Sequence, residues 1–93
     1  MVFVNNSQKK EVVLMNRKEL VQKQEAYMIA MRREFHQYPE LSLQEERTSA
    51  RICEELSKMG IPYEAVGQRN VIGILEGGKP GKKIAIRADF DAL

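Results

Sequence analysis

Along the first half of the chain the apolar residues Leu20, Tyr27, Met31, Phe35 and Tyr38 are separated by seven, four, four and three positions. That spacing keeps one face of an α-helix apolar and predicts a helix from about Asn16 to Tyr38. Asn16 with Glu19 three residues on has the form of a capping box. Pro39 ends the run, because the residue before a proline is pushed out of the α region. A second helix is predicted over about 43–59. Ser42 and Glu45 form its capping box, Ile52, Cys53, Leu56 and Met59 its buried face, and Arg47, Thr48 and Arg51 its solvent face. Gly60 supplies a left-handed C′ position, with Leu56 and Ile61 as the pair that meets at a Schellman end, and Pro62 prevents continuation.

Beyond Ile61 the period changes. YEAV, VIGILE and KIAIRAD are short stretches, mostly rich in β-branched residues and separated by GQRN and GGKPGK, and they read as three strands. The second break holds three glycines and a proline in six residues and reads as a loop between neighbouring strands. Residues 1–15 read as a tail with one apolar stretch, VVLM. The predicted order is two helices followed by three strands, an α/β or α+β beginning with the sheet still growing at Leu93.

The composition narrows the class. With 93 residues there is room for one small domain, and 43% hydrophobic with 30% charged residues is a globular balance. The net charge is +2, with basic and acidic residues interspersed, so the basic stripe of a nucleic-acid binder is missing. A helix-turn-helix reading of 17–59 fails on the acidic balance of its second helix. A single cysteine, Cys53, excludes an internal disulfide framework and fits a reducing compartment. No run approaches the roughly 18 apolar residues of a membrane span, and the first 15 residues lack a signal-peptide core. A cytoplasmic location is the default.

Several chemical motifs dissolve on inspection. GGKPGKK lacks the first glycine, the hydroxyl residue and the following helix of a phosphate loop. Cys53 falls on the apolar helix face, where free cysteine acts as a small hydrophobe. His36, alone of its kind, sits in a last helical turn where it suits the unsatisfied carbonyls. The end of the chain is richer. Alternation through IAIRADFDAL sets Ile84, Ile86, Ala88 and Phe90 on one face and Ala85, Arg87, Asp89 and Asp91 on the other. Ligand crevices form at the carboxyl ends of strands in open α/β sheets. Two carboxylates about 7 Å apart on one face need a compensating cation if buried. Arg87 could serve one and a divalent metal the other. Equally, the strand could run out into solvent with Arg87 pairing Asp89.

RREFHQYPELSLQEERTSARICEELSKMGI (32–61) and NVIGILEGGKPGKKIAIRADFDAL (70–93) together resemble the metal-dependent amidohydrolases of metallopeptidase family 20. That group includes hippurate hydrolases, aminoacylases and indole-acetyl-amino-acid hydrolases. The elements that carry the likeness in the first stretch are Arg33, His36, Pro39, Glu40, Leu41, Glu45, Thr48, Ile52, Leu56 and Gly60. In the second they are Arg87 to Leu93, an Arg-Ala-Asp-x-Asp-Ala-Leu motif with Phe90 at its variable position. The two stretches cover 54 of the 93 residues.

The resemblance implies that 16–93 is the start of a zinc-peptidase-like three-layer catalytic domain, without the lid or dimerisation domain. It implies hydrolysis of N-acyl amino acids or related peptide-like amides, a divalent metal (zinc, manganese or cobalt), and a possible homodimer. Asp91 would be a catalytic support residue, Asp89 and Arg87 would line the site, and His36, Pro39, Glu40 and Glu45 would be structural. The metal ligands would come from a later His-Ala-Cys-Gly-His-Asp motif, so this stretch alone is expected to bind no metal and to be inactive. The competing reading is a non-catalytic α/β interaction module or truncated gene product.

Overall fold

The computed structural model describes the backbone of residues 1–5 and 16–93, and the side chains of residues 1 and 16–93. The VVLM stretch at 12–15 lies outside the described residues. The order of elements is β1 (Val2–Asn5), α1 (Arg17–Lys23), α2 (Glu25–Gln37), α3 (Glu46–Lys58), β2 (Tyr63–Val66), β3 (Asn70–Leu75) and β4 (Ile84–Arg87). The chain divides into two compact units, Lys10–Pro39 and Met1–Lys9 with Glu40–Leu93.

In the first unit the predicted single helix is two. The capping box at its start is present: the Asn16 side chain accepts from the Glu19 N–H at 2.9 Å. The helix then breaks at Gln24, which closes α1 with its N–H on Val21 O at 3.0 Å and opens α2. No glycine or proline marks this point. It falls in the polar run Gln22–Glu25, where no apolar side chain holds the helix. The helix α2 ends at Gln37, with Tyr38 at φ −123° before Pro39.

The second unit is built on a four-stranded sheet of order β2-β3-β1-β4. The strands β2 and β3 form an antiparallel hairpin through GQRN, with Gly67 at φ +65°. The strand β1 runs parallel to β3 (Val2 opposite Ile72) and antiparallel to β4 (Val2 opposite Arg87). This corrects two sequence expectations. The first residues are not all tail, because VFVN is a short run of two valines and a phenylalanine that the sheet takes up. Nor are β3 and β4 neighbours, because β1 fills the gap between them. The eight residues 76–83 therefore reach across two strand spacings, about 10 Å.

The helix α3 packs on β3, and its ends show how local and long-range signals divide. Its C-terminus is the Schellman end read from sequence: Ile61 N–H donates to Leu56 O at 2.9 Å, Gly60 N–H to Ser57 O at 3.0 Å, and Gly60 sits at φ +70°. Its N-terminus differs from the expected Ser42–Glu45 box. Ser42 lies in a turn closed by Gln44 N–H on Leu41 O at 2.9 Å, and the helix starts at Glu46. Leu56 and Val71 are the buried apolar side chains among the described residues, at 6% and 0% exposure. Thr48, expected at the solvent face, is buried, and Met59, expected in the core, is half exposed. The strand β4 is an edge strand with every residue exposed.

Candidate functional site

The described part of the second unit contains a cavity of about 430 Å³. Three segments bound it: the turn at Ser42, Leu43 and Glu45, the hairpin loop at Gln68, Arg69 and Asn70, and the end of β4 at Arg87, Asp89, Phe90 and Asp91, with Met1 beside them.

Each wall has its own support. Leu43 holds a left-handed backbone (φ 66°), and the Glu45 carboxylate braces it by accepting the Leu43 N–H at 2.6 Å. Glu45 itself is buried. In the hairpin loop, Arg69 Nη2 meets Glu46 Oε1 at 3.0 Å, tying the loop to the first turn of α3, and Arg69 Nη1 donates to Gln68 Oε1 at 2.9 Å. Arg69 Nε is buried without a hydrogen-bond partner, at a cost of about 1–3 kcal/mol.

At the third wall the ladder of β4 stops at Arg87, so Asp89 and Asp91 are not strand residues as alternation implied. The Ala88 N–H still donates to Met1 O at 2.9 Å, and the Met1 amine donates to Ala88 O at 2.6 Å. Burial pulls this amine below its ordinary pKa, with the Asp89 charge opposing and the Arg87 charge adding to the shift. Arg87 Nε and Nη2 both lie 3.1 Å from Asp89 Oδ1, and the two side chains are 78% and 68% exposed. The Arg87–Asp89 pair of the solvent reading is thus present, and the same two residues line the cavity with Asp91.

The following residues are tied back to the turn. Ala92 N–H donates to Glu40 O at 2.7 Å, and Leu41 forms a parallel bridge with Ala92. The Glu40 side chain does what the predicted capping box was to do. Its Oε1 accepts from Thr48 N–H at 2.5 Å and Thr48 Oγ1 at 2.6 Å, and its Oε2 from Arg47 N–H at 3.1 Å. The Thr48 hydroxyl is the main cause of a Glu40 pKa below the ordinary glutamate value. Partial burial opposes it, and the two backbone N–H groups and the Arg47 charge assist.

The structure therefore gathers Arg87, Asp89, Asp91 and Glu45 around one cavity. It sets Glu40 behind them as a helix cap, and leaves His36 and Pro39 in the other compact unit. Sequence reasoning missed Arg69 and its loop neighbours, for which a turn between strands was the sole signal. Among the described residues, no group of three or more His, Cys, Asp or Glu is placed to hold a metal ion. With Asp89 engaged by Arg87, the described residues alone do not make a metal centre. No helix among the described residues is long and apolar enough to cross a membrane.

The chain is 48% identical over 71 residues to thermostable carboxypeptidase 1 of Saccharolobus solfataricus, a match covering 74% of this chain and 18% of that protein. It is 42% identical over 77 residues to the N-acyl-L-amino acid amidohydrolase of Geobacillus stearothermophilus, covering 82% and 21%. With the hippurate hydrolase of Campylobacter jejuni it shares 39% over 64 residues, covering 68% and 17%. The chain thus spans about a fifth of the length of the curated relatives it matches. No protein-family model matches it. No solved structure matches it either.

Proposed function

Since the chain belongs to the amidohydrolases of metallopeptidase family 20, we propose that it supplies one wall of an active site that hydrolyses the amide of N-acyl amino acids. Residues 16–93 would be the opening part of the catalytic domain. The observation that carries this reading is the meeting of Arg87, Asp89 and Asp91 with Glu45 on one cavity just past the end of β4.

Amide hydrolysis needs a carbonyl held in place, a water to attack it, and proton transfer to the leaving nitrogen. From this chain, Asp91 provides a carboxylate that is not engaged by Arg87 in the observed ion pair and that can orient a partner group. Arg87 pairs with Asp89, so of the two carboxylates past β4 one is compensated by this ion pair. The divalent metal implied by the resemblance belongs to this proposal, as do a homodimer and a cytoplasmic location. The metal's ligands are expected to come from the later motif that the resemblance implies, and the isolated 93-residue chain is expected to be inactive. Elemental analysis of the purified chain should find well under one zinc per chain, and one ion per chain would overturn this.

A chimera tests the activity. The segment of the Geobacillus stearothermophilus enzyme that aligns with this chain is replaced by residues 1–93, and release of free amino acid from N-acyl amino acids is measured. Activity is expected within about tenfold of the parent. Asp91→Asn should lower it a further 10- to 100-fold, as loss of a supporting carboxylate typically does. A chimera that folds with the parent's metal content and yet hydrolyses nothing would sink the proposal.

A further inference from the structure

We infer that Glu40 is the positioning residue of the candidate site, holding the Asp91 segment in place through a clasp that joins it to α3. The inference rests on the proposed role of Asp91. The ladder of β4 does not reach Asp91, because the strand ends at Arg87 and its last contact with β1 is Ala88 with Met1. The next anchor along the chain is Ala92, adjacent to Asp91, whose N–H donates to Glu40 O at 2.7 Å.

Glu40 is in turn fixed by its own carboxylate, which takes two backbone N–H groups and one hydroxyl from Arg47 and Thr48 in the first turn of α3. Thr48 is 4% exposed, so its hydroxyl is committed to this contact. The helix α3 is seated on β3 and bears the buried Leu56. A continuous route of bonds thus runs from α3 through the two halves of Glu40 to the residue after Asp91. The Leu41–Ala92 bridge extends the Glu40–Ala92 contact by one further residue.

The clasp is tested by NMR on the 93-residue chain, comparing wild type with Glu40→Gln, Thr48→Val and Thr48→Ser. Expected for Glu40→Gln and Thr48→Val is an Ala92 amide exchanging about five- to tenfold faster, as loss of a supporting hydrogen bond allows. The Asp91 backbone resonances should shift with it, while Val71 keeps its protection and Thr48→Ser restores the wild-type values. Loss of protection at Arg47 and Thr48 alone, with Ala92 and Asp91 unmoved, would overturn the inference. If Glu40→Gln unfolds the chain, seen as lost Val71 protection, the Thr48 pair decides by the same criterion.

In the chimera, Glu40→Gln should lower kcat with KM little changed, and Glu40→Asp should recover part of it. A chimera that hydrolyses normally with Glu40→Gln refutes the positioning role and leaves the proposed function standing. A chimera that never hydrolyses refutes the function, while the Ala92 measurement still decides the clasp.

Discussion

At Glu40 the side chain and the main chain serve different parts of the fold, and the side chain is sensitive to acid. Its pKa is depressed in the folded chain, chiefly by the Thr48 hydroxyl. A depressed carboxylate stabilises the fold fully above its unfolded value and ceases to do so as pH falls through the folded value. The cap on α3 is therefore expected to hold unchanged from neutral pH down to the ordinary glutamate range and to weaken below it. An acid titration followed at the Arg47 and Thr48 amides checks this, and Glu40→Gln should flatten the dependence at those two amides. Leu43 makes the opposite case, a residue that fits its position poorly. It is 79% exposed and holds φ at 66°, where an L side chain is strained. Leu43→Gly relieves that strain but loosens the unfolded chain, for a net gain of about 1 kcal/mol. Urea denaturation measures it.

Among the elements, α3 shows what the sequence could and could not disclose. Its C-terminus was legible because Leu56, Gly60, Ile61 and Pro62 all lie within seven residues and act on one another. A Cβ added at Gly60 would meet nothing within 4 Å, so Gly60→Ala tests the left-handed backbone alone. It should cost about 1 kcal/mol, whereas Gly78→Ala, also in open space but without a positive φ, should be near neutral. The N-terminus was misread because the capping carboxylate comes from Glu40, outside the four-residue window that a capping box occupies. Ser42 and Glu45 satisfied the pattern while their chain bent into a turn instead. The Arg87–Asp89 pair was legible for the same reason as the Schellman end, since two residues of spacing suffice. The cavity was not, because Glu45, Arg69 and Asp91 converge only after the hairpin and the turn have formed.

For the molecule as a whole the apolar interior is thin. Leu56 and Val71 are the buried apolar side chains among the described residues, so Leu56→Ala, at about 2–5 kcal/mol, should remove most of the stability of the second unit. Circular dichroism against temperature reads this directly. At the sheet edge Ile84 and Ile86 are 57% and 64% exposed, the composition of an aggregation-prone strand. Ile86→Lys is expected to lower light scattering at high concentration without shifting the urea midpoint.

The place of β1 has a further consequence, for the time course of folding. Its residues precede both neighbours along the chain, yet Val2 pairs with Ile72 on one side and Arg87 on the other. The sheet cannot be completed until β4 has been made, and the closure that completes it spans more than eighty residues. Such non-local pairing is slow. Until β4 arrives, the edge of β1 that it will cover stays open to any extended peptide that arrives first.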